Sequence, residues 1–299
     1  MALKTPLSLR ATRTPKPKAP PLRPAWRAPA TDASAMRPTG RWALAGGGLG
    51  VVLALLFFAP AAWLTGAIER ATGGRLLLAE PEGTLWSGSA LPVLTGGAGS
   101  RDAAVLPSRL GWSLAPFLGG LRLKLAQDCC VAPGLAIELR PGWGRLAVTV
   151  VPAAGETVGQ WPAAWLEGLG APWNTLKPGG QLRVATRSLT LRSGKDNGGW
   201  QLEGQAELDL LQASSRLSTL DPLGSYRIRV AGQPGSPTTL KLNTLDGALQ
   251  LNGSGELGGR GGLRFRGDAR AAPGFEPALN NLLNIIGRRN GALSVISIG

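Results

Sequence analysis

The 299-residue sequence contains no histidine, only two cysteines and one tyrosine, and 18 acidic residues against 32 basic ones. Without histidine it cannot build a Ser-His-Asp or Cys-His pair, nor a metal site that needs an imidazole. Carboxylates for acid–base work are sparse as well. Glu203, Glu207 and Asp209 fall on one face of a single strand pattern, which reads as a solvated face. Gly253-Ser254-Gly255 lies between strand patterns and opens no helix, so it does not read as a phosphate cradle. These shortages exclude the common hydrolase constellations. The expectation is a protein that is not an enzyme, with no cofactor, catalytic residue or metal site.

The two cysteines are adjacent, Cys129-Cys130. Consecutive Cα atoms lie about 3.8 Å apart, so bonding the pair to itself closes a strained ring. A vicinal disulfide, an intermolecular bond and two free thiols are all open readings. Asp128 precedes the pair and no basic residue adjoins it. Nothing there would lower a thiol pKa, and no catalytic role is read.

What the sequence does have is one long uncharged run. Residues 42–64, from Trp42 to Leu64, hold 23 residues without a charged side chain. A bilayer core about 30 Å thick needs roughly 20 apolar residues in a helix. Arg37 and Arg41 stand before the run, and Trp42 and Trp63 sit near its ends, where indoles favour the membrane interface. Segment 1–41 carries nine Lys/Arg, one Asp and eight prolines. That charge places the N-terminus in the cytoplasm and residues 65–299 across the membrane.

A cleaved signal peptide is the competing reading. Ala59-Pro60-Ala61 offers small residues at the right spacing, and Met36 offers a second start close to the apolar run. The net charge of +14 invites a nucleic-acid reading. The excess is densest in the Pro-rich tail and no nucleic-acid motif accompanies it, so no nucleic-acid partner is expected. The tail reads as disordered.

After Thr65 the dominant rhythm is period two. Trp200 to Leu210 alternates without a fault, which places Trp200, Leu202, Leu208 and Leu210 toward an apolar interior. Gln201, Glu203, Gln205, Glu207 and Asp209 then face water. Similar alternation recurs at Leu121/Leu123/Leu125, Leu135/Ile137/Leu139, Leu146/Val148/Val150, Leu182/Val184, Tyr226/Ile228/Val230, Leu240/Leu242, Leu249/Leu251 and Leu263/Phe265. Glycine- and proline-rich breaks separate many of these stretches. Two helical pieces interrupt them. Trp161 to Leu169 carries Pro162 in its first turn, and Leu279, Leu282, Leu283 and Ile286 fall at i, i+3, i+4, i+7 between Pro277 and Gly287. The expected fold is mainly β: one N-terminal transmembrane helix, then a curled antiparallel meander or groove with short helices.

Several segments resemble the type II secretion system protein N (GspN) family. They are Gly83-Thr84-Leu85-Trp86-Ser87-Gly88, then Leu110 to Pro116 around Trp112, then Gly168 to Gly180, and last Leu282 to Ile298. The resemblance spans residues 40–299, and the long Pro-rich tail departs from it. That family is in turn similar to AsmA-like envelope proteins. The resemblance implies a non-enzymatic accessory subunit in the bacterial inner membrane, with other type II secretion components as partners. Lipid binding or transfer in the periplasm is the alternative, since a sheet with one apolar face could line a groove for acyl chains. Trp86 and Trp112 also read simply as core or edge aromatics, and Gly83 and Gly88 as turn residues.

Overall fold

The computed structural model describes residues 37–152, 155–193, 200–258 and 262–299. The chain opens with helix α1, Arg37–Phe57. Its Gly40–Phe57 stretch is long and apolar enough to cross a membrane, and none of that stretch is buried. The uncharged run from Trp42 to Leu64 does not continue as one helix, however. Pro60 has φ −67° and ψ 148°, and a second helix, α2, begins at Ala61 and runs to Ala71. Proline has no N–H to give to the carbonyl four residues back, and its ring clashes there. Ala61 to Leu64 therefore open an amphipathic helix: Ala61 and Thr65 are buried, and Leu64 and Ile68 pack toward the sheet.

The rest is one antiparallel sheet with short helices. The strands are β1 (Leu76–Gly83), β2 (Ser87–Thr95), β3 (Ala103–Val105), β4 (Leu110–Phe117), β5 (Gly120–Ala126), β6 (Ala136–Gly142), β7 (Arg145–Val151) and β8 (Thr157–Pro162). They continue with β9 (Gly179–Ser193), β10 (Trp200–Ser214), β11 (Gly224–Gly232), β12 (Thr238–Gly247), β13 (Leu249–Leu257), β14 (Leu263–Ala271), β15 (Arg288–Asn290) and β16 (Leu293–Ile298). Pairing follows chain order for most of the sheet and ends β13-β14-β16-β15. The sheet does not close: among the described residues β1 pairs only with β2, and β15 only with β16.

Two long strands are each covered by two shorter ones laid end to end. β3 and β4 both run antiparallel to β2, and β7 and β8 both run antiparallel to the 15-residue β9.

The expected helices are present with shifted starts. The first is a 3-10 turn, Ala163–Leu169, with Pro162 as its cap, while Trp161 still belongs to β8. A short helix α3, Trp173–Leu176, follows. The last helix, α4, runs Glu276–Ile286 and stops at Gly287.

The core is divided. At one end α2 lies on β1, β2 and β4, burying Ala61, Leu78, Ala90 and Trp112. At the other, α4 buries Leu279, Leu282 and Leu283 against Tyr226, Leu249 and Ala269. Between them the apolar face of the middle strands belongs to neither cluster. Near the second core the Phe265 ring lies across glycines: a Cβ on Gly253 would collide with it, and one on Gly255 would stand 3.0 Å away. Gly253 and Gly255 are thus the floor beneath an aromatic ring.

Two side-chain placements on β10 differ from the simple alternation. Trp200 is 54% exposed and does not enter a core. It is the first residue of its strand, paired with Ser193 of β9 and lying before the β10–β11 ladder, which begins at Gly204. Asp209 is 2% exposed and does not face water. Arg183 on β9 and Arg227 on β11 stand opposite it and close over its carboxylate. Glu203 and Glu207 are half-buried and are likewise paired, Glu203 with Arg192 and Glu207 with Arg227 and Arg229.

Candidate functional site

The family-like motif Gly83 to Gly88 is the tip of the β1–β2 hairpin. Gly83 has φ +85°, and a Cβ there would come within 2.5 Å of the Ser87 carbonyl oxygen, so the turn requires glycine. The Thr84 N–H donates to Ser87 O at 2.8 Å, and the Thr84 hydroxyl oxygen accepts from the Ser87 N–H at 3.2 Å. This turn grips the segment that leaves α1. The Leu85 N–H donates to Ala59 O at 2.8 Å, and Pro60 bridges Thr84. The Trp86 indole N–H donates to Leu56 O at 2.7 Å.

That last contact has a plain cause. Leu56 lies four residues before Pro60, whose missing N–H would otherwise have satisfied its carbonyl. The Trp86 indole takes the place of the absent donor. Ala59 and Ala61 are 1% and 2% exposed, so the two alanines are buried on either side of an exposed Pro60.

Trp112 on β4 supports the same turn from below. It is buried, and its indole N–H is shared between Thr84 O at 3.3 Å and Leu85 O at 3.2 Å. The ring lies against Gly88, where a Cβ would stand 2.6 Å from ring carbon Cζ2. The Leu114 N–H donates to Trp86 O at 2.7 Å. Each of these polar atoms is engaged with backbone. The arrangement fixes a chain crossing.

The cysteines lie elsewhere, in the β5–β6 connection. Their sulfurs are bonded to each other, and the Ser108 hydroxyl donates to Cys129 Sγ at 3.1 Å. Cys130 O accepts from the Gln160 N–H at 2.7 Å, which ties this loop to β8. The structure thus brings Gly83, Thr84, Leu85, Trp86, Ser87, Gly88 and Trp112 together and leaves Cys129 and Cys130 apart from them.

The polar face of the sheet carries a shallow depression of about 640 Å³, lined by Arg187, Arg227, Arg229, Lys241, Glu156 and Glu207 among others. Beside it, hydrogen bonds from Arg227, opposed by burial and reinforced by Arg183, hold the Asp209 carboxyl below the ordinary aspartate range. Glu138 is lowered in the same way, first by its bond to Arg122 and then, against burial, by Arg140. Among the described residues no group of three or more acidic or cysteine side chains is placed to hold a metal.

Sequence reasoning misses the partners of these groups. Along the chain, Leu56, Ala59 and Pro60 read only as part of an apolar run or a cleavage motif, although Pro60 marks a carbonyl in need of a donor. Arg183 and Arg227 carry no signal of their own, because cross-strand register is needed to place them beside Asp209.

The profile of the family described as Type II secretion system (T2SS), protein N matches residues 74–295. No curated protein and no solved structure matches the chain. The matched span starts just before β1 and ends within β16, taking in the hairpin tip, Trp112 and α4 while leaving α1 and α2 outside. With roughly three quarters of its length matched in this way, the chain belongs to the type II secretion system protein N family.

Proposed function

We propose that this protein is a non-enzymatic accessory subunit of the type II secretion apparatus, held in the bacterial inner membrane by α1 and working with other components of that apparatus. The observation that carries the reading is the family match across nearly the whole sheet. In this reading the residues before α1 form a basic cytoplasmic tail, α1 up to Phe57 the membrane segment, and the chain from Ala61 on, α2 included, the periplasmic β-rich domain. The apolar Gly40–Phe57 helix, whose one charged residue is Arg41 at its start, supports the anchor, and the nine basic residues before Trp42 support the orientation.

Burial of Ala59 and Ala61, and the use of Leu56 O and Ala59 O as acceptors, favour a retained helix over cleavage at Ala59-Pro60-Ala61. Deleting the gene should lower secretion of type II substrates, with restoration by the full chain. Unchanged secretion, together with no co-purification of secretion components from gently solubilised membranes, would exclude the reading.

A second reading, an AsmA-like lipid-binding or lipid-transfer protein, is favoured by one observation. Leu121, Leu139, Val148, Leu191 and Leu202 line the middle of the apolar face, are only half-buried, and belong to neither core cluster. Mass spectrometry of gently extracted protein tests it; repeated absence of bound lipid would leave the scaffold reading alone.

A further inference from the structure

Three large apolar side chains crown one end of the sheet and stand exposed there. Leu118 is 98% exposed, Trp143 96% and Trp200 54%. Leu118 is in the two-residue turn between β4 and β5, and Trp143 in the one between β6 and β7. Gly119 and Gly144 take the positive φ those turns need, +88° and +66°. Turns this tight ordinarily carry Asn, Asp or Gly beside that glycine. Placing Leu and Trp there exposes large apolar surface that the fold itself cannot use.

Antiparallel pairing fixes where these turns lie. β1, β4, β6 and β9 run in one direction and their partners in the other. The ends of β4, β6 and β9 therefore lie at the same end of the sheet as the end of β1. That end is the hairpin tip whose Trp86 and Leu85 hold Leu56 and Ala59, where the chain passes from α1 into the sheet. The charge there is basic. Arg140 and Arg145 flank the Trp143 turn and Arg192 stands near the end of β9. The carboxylates at this end among the described residues are paired, Glu138 with Arg122 and Arg140, Glu203 with Arg192, and Glu80 and Glu82 with Arg109, so the excess positive charge centres on Arg145.

We infer that this crown docks on the bilayer surface from which α1 emerges, with Leu118, Trp143 and Trp200 entering the headgroup zone, and with Arg145 and the exposed sides of the ion-paired Arg140 and Arg192 meeting anionic lipid. Trp is favoured at that depth because its ring is apolar while its N–H needs a partner. Lys and Arg beside it gain from the negative surface potential. The inference rests on α1 being an anchor. It adds that the sheet stands on the membrane at three further points, which sets its tilt.

The test uses the full chain reconstituted in phosphatidylcholine vesicles with and without phosphatidylglycerol. Leu118→Cys, Trp143→Cys and, at the opposite end, Thr219→Cys are each spin-labelled without reductant. Accessibility to oxygen is then compared with accessibility to a water-soluble nickel chelate. Oxygen should dominate at 118 and 143 and nickel at 219, with the 143 signal deeper when phosphatidylglycerol is present and shallower again in an Arg145→Glu background. Tip labels open to nickel, while alkaline washing leaves the chain in the membrane, would overturn the docking and spare the anchor. Tip labels shielded from both reagents would mean a protein cover and would also overturn it. Release of the chain by alkaline washing would overturn both.

Discussion

Asp209 and Arg227 stand directly opposite each other on β10 and β11, and the Arg227 guanidinium donates to both carboxylate oxygens, at 2.6 and 2.8 Å. Arg183 completes the clamp from β9 at 2.7 Å. A carboxylate this buried is tolerated because both neighbours are cationic. Asp209→Ala should cost about 2–3 kcal/mol, below the ~3–5 of a fully buried pair, because both arginines keep contact with water. Glu207→Ala on the same face should cost about 1 kcal/mol or less. Denaturant titration of the two variants compares them; equal losses would contradict the buried clamp.

The same clamp sets an acid dependence. Asp209 is held below its ordinary value by Arg227 and Arg183. Its contribution is fully present above the unfolded-state pKa of about 3.9 and is lost as pH falls from there through the lower folded-state value. Wild type should lose stability across that acid window, and Asp209→Asn should show a shallower loss, measured as the denaturation midpoint against pH.

At the hairpin tip, Gly88→Ala should destabilise the protein by about 1–3 kcal/mol, because the new methyl would press on Glu82 O and the Trp112 ring. Trp86→Phe removes only the donor to Leu56 O and should cost about 0.5–1.5 kcal/mol. Protease cleavage between Phe57 and Ala61 should rise in Trp86→Phe. Unchanged cleavage would show that Leu56 is held by something else.

Beneath α4, Leu279 is fully buried. Leu279→Ala should cost about 2–5 kcal/mol through lost burial and the cavity left behind, read from thermal or denaturant unfolding. A loss under about 1 kcal/mol would mean α4 packs more loosely than its contacts indicate.

In α1, Leu55→Arg places a charge in the apolar helix and should disfavour insertion by roughly 2.5–3.5 kcal/mol if that position lies at the bilayer centre, less if it lies near an interface. The fraction of chain resisting alkaline extraction reports it directly. Full retention of the variant would argue against Leu55 lying in hydrocarbon.

Much of the sheet is legible in the sequence because β10 to β14 carry polar residues on one face and apolar residues on the other, a pattern set by the backbone alone. β1 and β2 are harder to read. Leu76-Leu77-Leu78-Ala79 is a continuous apolar run, and Pro81 and Pro92 break the alternation beyond it; β1 tolerates its proline as an edge strand. The burial of Asp209 is not legible, since it depends on residues 18 and 26 positions away. Nor is the role of Trp86, whose acceptor lies 30 residues back. The motif is visible as spacing, but its partner emerges only once the chain has folded across it.

The division of the core at the two ends of the sheet has a consequence for cooperativity. Damage under α4 acts on one cluster and reaches the α2 cluster only through the strand ladder between them. Such a molecule behaves as a short linear array whose segments open with separate free energies. Amide exchange should therefore sort into an α2-centred group and an α4-centred group, with the strands between them exchanging earliest, so that a lesion at either end leaves the other standing.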